Sequence, residues 1–379
     1  VRINTISRRL FLKVGILGAS GVAAYLLLRR WGINPPPRVD EAVRISVETV
    51  AAGLVVPWSM AFISGGEAVL TERVGRVSLL DVDTGRLTLL GELETAAVGE
   101  GGLLGVAVHT PGPRLYLYQT YRSEGRLLNR VVMYDSLELR DPLILVDGIP
   151  GAAVHDGGRV KIGPDARLYV STGDAAQPWL AQSIASLAGK ILRLRLDGRV
   201  PGDNPFPGSP VFSYGHRNVQ GLAWRPGDNT LYATEHGPSG EMGLWAHDEI
   251  NRITPGGNYG WPEVVGVGGR AGFIDPILES GDETWAPSGC SFYSGRNHDA
   301  WAGNLFFAAL RGEHLHRVVL AEDGGSVVYH EMLFKGVYGR LRDVVEGPDG
   351  NLYILTSNRD GRGLPREGDD RVLRLSWSR

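Results

Sequence analysis

Residues 164–171, PDARLYVS, turn into a run that alternates apolar and polar or aromatic side chains, and residues 189–197, GKILRLRLD, repeat that alternation. Period-two patterning bounded by Gly, Pro and Asp marks short strands. The same pair recurs along the chain. Its first member returns as GGEAVLTE (65–72), GPRLYLY (112–118), GDNTLYAT (227–234), AGNLFFAA (302–309) and PDGNLYIL (348–355). Its second returns as GRVSLLDV (75–82), NRVVMYD (129–135), DEINRITP (248–255), HLHRVVLA (314–321) and DRVLRLSW (370–377). Each first member is followed by one second member, so the unit occurs six times.

Repetition at this scale means a solenoid or a propeller. Strand patterning with loops of uneven length favours the propeller, each pair supplying half of a four-stranded blade. No helical pattern longer than about three turns competes with it. The expectation is an all-β chain: a six-bladed β-propeller of four-stranded antiparallel blades over residues 44–379. The segment RISVETVAAGL (44–54) precedes the first pair and is expected to add the outer strand of the last blade, closing the ring.

Composition agrees. Gly 53 in 379 residues is about twice the usual share, as in turn-rich strand proteins. A net charge of −3 gives no sign of a nucleic-acid partner. The single cysteine, Cys290, excludes an intrachain disulfide and a Cys-based metal site. Only Lys13, Lys161, Lys190 and Lys335 are lysine, and the other basic residues are Arg. That bias points to genome composition or a hot habitat, and hence to a thermostable protein.

Residues 7–28, SRRLFLKVGILGASGVAAYLLL, place Arg8-Arg9 before Phe11, Leu12 and Lys13 and an acid-free apolar run. This is the twin-arginine export pattern, expected over 1–30 with a proline-rich linker over 31–43. The apolar run 14–28 is shorter than the roughly 20 residues that cross a bilayer comfortably. The expected location is periplasmic or extracellular, with a membrane link only through this segment.

Polar residues cluster ahead of the repeated strands, in GEGGLLGVAVH (99–109), VHDGGRVKIGPD (154–165), YGHRNVQGLAW (214–224), WAPSGCSFY (285–293) and GRLRDVVEGPDG (339–350). Such segments should ring one mouth of a propeller, where ligands usually bind. His155 has an acid, Asp174, at the end of the next strand. Held by that acid at one ring nitrogen, it keeps the other free as a base. Arg217, Arg311, Arg340 and Arg342, beside Asn218, show no matching cluster of acids and imply an anionic ligand with several oxygens. Within 235–262, the Gly237-Pro238 carbonyls, the Glu249 carboxylate and the carbonyls of the turn at 256–259 are oxygen donors of the kind calcium takes.

These segments together resemble the soluble quinoprotein glucose and aldose sugar dehydrogenases. The carrying stretches are GGLLGVA, HDGGRVKIGPDARLYVSTGD, GKILRLRLDG, DNPF, YGHRNVQGLAW, HGP, DEIN, GGNYGWP, APSG and RLRDVVEGPDGNLYILT, in that order from about residue 43 onward. The resemblance implies a six-bladed propeller that uses pyrroloquinoline quinone (PQQ) and calcium. It implies that aldose sugars are oxidised at the anomeric carbon to lactones and that an external acceptor takes the electrons.

By the same resemblance His155 is the base and Asp174 its orienting acid, and Arg217 and Asn218 lie beside the reactive quinone carbonyl. Arg311, Arg340 and Arg342 contact the cofactor's carboxylates, and Thr284 supplies a hydroxyl. The Gly237 and Pro238 carbonyls hold the cofactor's calcium, and Glu249 with the Tyr259 carbonyl holds a second. Glu100 stands at a substrate-contact position where the family commonly has Gln. The long loops of the glucose-specific enzymes are missing, which favours the broader aldose branch. Two other readings of such a propeller are a non-catalytic module binding a protein or glycan and a calcium-dependent lactonase.

Overall fold

The computed structural model describes residues 44–378, so the expected export segment and linker lie outside the described residues. The described chain forms six four-stranded antiparallel sheets. Five of them take their strands consecutively. The sixth combines Leu341–Glu346, Leu352–Thr356 and Val372–Ser378 with Arg44–Ala51 from the other end of the described residues. That last pairing runs antiparallel from Arg44↔Ser378 to Ala51↔Val372. It is the closure expected of 44–54.

The repeated pairs are the second and third strands of each blade. The innermost strands are Pro57–Phe62, Leu103–His109, Val160–Ile162, Val219–Trp224, Pro287–Phe292 and Leu341–Glu346. Neighbouring innermost strands lie side by side around the axis. Five of the six fall inside or beside the polar segments singled out above, which is how those segments reach the axis.

Burial follows from stacking blade on blade. A middle strand lies between two neighbouring sheets and is covered on both faces, as in Leu352–Thr356, where every residue is buried. An outer strand meets solvent, as in Leu143–Pro150, where Leu143 and Ile144 stay exposed. Hydrophobic clusters therefore span blades: Trp58, Tyr116, Leu168 and Leu192 share one core although they come from three sheets. Burial of such side chains contributes about 1.5–3 kcal/mol each and is the main force holding the ring.

A charged hub crosses the axis. Arg159 is fully buried, and its Nη1 lies 2.8 Å from Oδ2 of Asp343 and 2.9 Å from Ser59 Oγ. Its Nε donates to the Gln220 carbonyl at 2.8 Å, and its guanidinium sits 4.4 Å over the Trp58 ring. These partners come from the innermost strands of blades 1, 4 and 6. One guanidinium thus ties four blades together at the centre.

Candidate active site

A cavity of about 630 Å³ opens at one mouth of the ring. In an antiparallel blade, the loop leading into the first strand and the loop joining the second and third strands emerge at the same end. Both kinds of loop build this mouth. The first kind brings Glu100, His155, Arg217, Thr284 and Arg340, and the second brings Arg73, Glu241, Arg311, Asp360 and Arg362, with Asp174 buried behind His155. Arg342 reaches the cavity from the innermost strand of blade 6 itself.

His155 is buried and held in the left-handed region at φ +60. That conformation is uncommon for a residue with a side chain and is maintained by its surroundings. Its N–H donates to Oε2 of Glu100 at 3.0 Å. Its carbonyl is so close to Gly173 that a Cβ there would stand 1.8 Å from it. Gly157 at φ +62 also packs closely, and a Cβ there would stand 2.6 Å from the Thr172 backbone. The glycines beside His155 therefore let its loop fold flat against the end of the next strand.

That strand end delivers Asp174, fully buried, with Oδ1 2.8 Å from His155 Nδ1. Oδ2 accepts from Trp261 Nε1 at 2.8 Å, and Oδ1 also accepts from the Ala176 N–H. The segment after Asp174 is pinned by Lys190, whose Nζ donates to the carbonyls of Leu180, Ala181 and Ala188. On the other side of the ring, His155 Nε2 lies 2.8 Å from Arg217 Nη2. A guanidinium can only donate, so Nε2 carries the lone pair and Nδ1 the proton given to Asp174.

Six arginines line the cavity, Arg73, Arg217, Arg311, Arg340, Arg342 and Arg362, against four carboxylates, Glu100, Glu241, Asp248 and Asp360. The expectation of cations without matching acids is thus corrected. Asp360 Oδ2 takes Arg340 Nη2 at 2.7 Å and lies 3.8 Å from Arg342 Nη2. Glu241 Oε1 takes Arg217 Nη2 at 2.6 Å, and Glu100 Oε1 takes Arg362 Nη1 at 2.6 Å. These acids sit on loops joining second and third strands or in the mouth's own segments, and the repeat pattern gives such loops no signature. An excess of positive charge remains, and Arg311 carries no ion pair among the described residues.

The titration of these groups follows from their neighbours. Burial pushes the Glu100 carboxyl up, but Arg362, His236 and the His155 N–H together bring it down to about 2, so it stays ionised at any working pH. Burial pulls the Arg342 guanidinium down to about 9, against the nearby Asp360 charge. Burial likewise pulls His236 down to about 3, leaving it neutral. Four buried donors or acceptors here have no partner: Arg73 Nε, Arg217 Nε, Arg342 Nε and His236 Nε2. Unpaired buried polar atoms are costly and mark places where a polar ligand would be satisfied.

Behind the His155 loop, burial raises Asp156 to about 7, although Asn129 and the Ala152 N–H favour its charged form. A carboxyl raised on folding binds more protons folded than unfolded between about pH 4 and 7, so stability falls as pH rises through that window. Replacing Asp156 with Asn, which keeps the Asn129 contact, is expected to flatten this slope. Urea unfolding of both proteins at pH 4.5 and 8 checks it, and parallel slopes would refute it.

The expected site residues fall in three places. Glu100, His155, Arg217, Gly237, Pro238, Thr284, Arg311, Arg340 and Arg342 all line the cavity. Asn218 lies just behind it, holding the Gly157 N–H at 3.0 Å. Glu249 and Tyr259 lie apart, in a buried cluster with Glu235, His216 and Asn251. There Asn251 Nδ2 bridges Glu249 at 3.0 Å and Glu235 at 3.3 Å, and burial with the charge of Glu235 raises Glu249 well above its ordinary value. The Pro238 carbonyl already accepts the Ala246 N–H. Among the described residues no three or more His, Cys, Asp or Glu side chains group to hold a metal. Sequence reasoning missed Arg73, Gln220, His236, Glu241, Trp245, Asp248, Asp360 and Arg362.

A family model described as glucose/sorbosone dehydrogenase matches residues 54–366. The PQQ-bound aldose sugar dehydrogenase of Streptomyces coelicolor superposes with a TM-score of 0.79 at 40% identity, covering 91% of this chain and 100% of that one. Quinoprotein glucose dehydrogenase B of Acinetobacter calcoaceticus is 32% identical over 82% of this chain and 84% of its own length. Aldose sugar dehydrogenase YliI of Escherichia coli is 31% identical over 84% of this chain and 92% of its own.

Proposed function

The chain belongs to the glucose/sorbosone dehydrogenase family of oxidoreductases, and from that premise we propose that it oxidises aldose sugars at the anomeric carbon to lactones, with PQQ bound at the cavity and an external acceptor taking the electrons. The observation that carries this reading is the cavity's surplus of guanidinium groups, with Arg217 Nε, Arg342 Nε and His236 Nε2 buried and unpaired. PQQ bears three carboxylates and two quinone oxygens, and that donor set fits it. When bound, the quinone supplies the hydride acceptor.

The chain's own residues then take the following parts. Arg311, Arg340 and Arg342 hold carboxylates as guanidinium forks, with Asp360 keeping the last two in place and Thr284 adding a hydroxyl. Asn218 supports the backbone of the His155 loop through the Gly157 N–H. His155 Nε2 takes the proton of the anomeric hydroxyl, and Asp174 stabilises the imidazolium that forms. Arg217 caps that nitrogen until its guanidinium turns toward an oxygen, where its charge stabilises a developing oxyanion. Calcium would be held by the carbonyls of Gly237 and Pro238, and a second ion by Glu249 with the Tyr259 carbonyl. The unpaired Asn251 Oδ1 beside Glu249 and Glu235 supports a hard cation there. A purely binding propeller would leave the His155–Asp174 pair without a task. The segment at 7–28 supports export by the twin-arginine route, which would place reoxidation outside the cytoplasm.

The test is reconstitution of the apoprotein with PQQ and calcium, followed by dye reduction with several aldoses. Activity is expected with both present, and its absence with every aldose would overturn the reading. Arg342→Ala is expected to weaken PQQ uptake by about 10- to 100-fold, the worth of a hydrogen bond to a charged group. Quenching of tryptophan fluorescence measures it, and uptake equal to that of the parent would remove Arg342 from the site.

A further inference from the structure

We propose that Glu241 is a specificity-determining residue: its carboxylate accepts a hydrogen bond from the donor on the sugar's second carbon and so fixes which way round the ring binds. The inference rests on the reading of His155 as the base.

Glu241 projects from a closed hairpin. Ser239 and Trp245 form an antiparallel bridge, the Ala246 N–H donates to the Pro238 carbonyl at 2.9 Å, and the Gly240 N–H donates to the Leu244 carbonyl at 2.8 Å. Gly240, at φ +117, has no room for a side chain because the Trp245 ring lies about 3 Å from where a Cβ would stand. The Ser239 N–H holds Oε2 of Glu241 at 2.5 Å. The other oxygen, Oε1, is thereby aimed inward, 2.6 Å from Arg217 Nη2 and 3.4 Å from His155 Nε2. Arg217 and the Ser239 N–H keep this carboxyl below its ordinary range in spite of partial burial.

A hydroxyl whose proton goes to Nε2 must stand about 2.6–3.2 Å from that nitrogen. Arg217 Nη2 now stands 2.8 Å from that nitrogen and 2.6 Å from Oε1, so a hydroxyl that takes its place lies beside the carboxylate. On an aldose ring, two groups flank the anomeric carbon: the ring oxygen and the substituent on the second carbon. The ring oxygen can only accept, so a carboxylate repels it. A hydroxyl or an ammonium on the second carbon can donate. Glu241 therefore favours the orientation that turns the second carbon toward the hairpin. The substrate class is aldoses with a free hydroxyl or amine at that carbon, and deoxygenated sugars are disfavoured.

The experiment uses the protein loaded with PQQ and calcium and compares kcat/KM for glucose, 2-deoxyglucose and glucosamine in the parent, Glu241→Ala and Glu241→Gln. Taking each ratio relative to the parent cancels the intrinsic reactivity of the sugars. The parent is expected to prefer glucose over 2-deoxyglucose by about 10- to 100-fold, and Glu241→Ala to reduce that ratio to within about threefold. Glu241→Gln keeps an acceptor, so it should retain most of the glucose preference while losing several-fold on glucosamine. PQQ uptake, read by tryptophan fluorescence, should not weaken in either variant. A glucose to 2-deoxyglucose ratio unchanged in Glu241→Ala overturns the inference while dye reduction by the parent leaves the aldose reading standing. Absence of dye reduction with all aldoses overturns that reading and this inference with it.

Discussion

Replacing His155 with alanine is expected to lower kcat for aldose oxidation by about 100- to 10,000-fold, the usual worth of a positioned base. The imidazole is the group whose geometry requires this. Asp174 fixes its Nδ1 proton at 2.8 Å, Trp261 and Ala176 fix Asp174, and Glu100 fixes the backbone of His155 itself. Four contacts that orient one lone pair are hard to explain as packing. PQQ uptake should survive, because the arginines that hold carboxylates lie on blades 5 and 6. Asp174→Asn should lose less than His155→Ala, since the ring would stay but could turn to the other tautomer. Single-turnover reduction followed at the quinone absorbance separates chemistry from binding, and full turnover by His155→Ala would exclude the proposed base.

The second large effect concerns stability. Asp343→Ala is expected to destabilise the fold by about 3–5 kcal/mol, because it leaves the Arg159 guanidinium buried without its counter-charge. Arg159 is fully buried and donates within 3 Å to Ser59, Gln220 and Asp343, so it cannot reach water. The double replacement Arg159→Met, Asp343→Leu should recover most of the loss, since it removes both charges together. Urea unfolding of the parent and the two variants measures this. A single variant within about 1 kcal/mol of the parent would show that the hub is solvated or dispensable.

Much of the ring was legible in the chain. The repeated strands are middle strands, covered on both faces, and such strands must be continuously apolar or aromatic, as in Leu168–Tyr169–Val170. The closing strand was legible because 44–54 reads as a strand and lies ahead of the first repeated pair. The site was legible where its residues precede an innermost strand, as His155 and Arg217 do. It was less legible on the loops between second and third strands, which differ in length and carry no repeat. Asp360 and Glu241 sit on two of these, and only the folded chain shows that they reach back to Arg340 and Arg217. The same blindness produced the picture of arginines without acids. Glu249 and Tyr259 follow a Gly-rich pattern that suits a cation, but their place away from the cavity could not be read from spacing.

The seam between Arg44–Ala51 and Val372–Ser378 has a consequence for how the protein comes into being. This clasp cannot fasten until Arg44–Ala51 and Val372–Ser378, at opposite ends of the described residues, have met, so a chain without either strand is an open arc with two raw flanks. Closure of the ring is therefore set by its longest-range pairing.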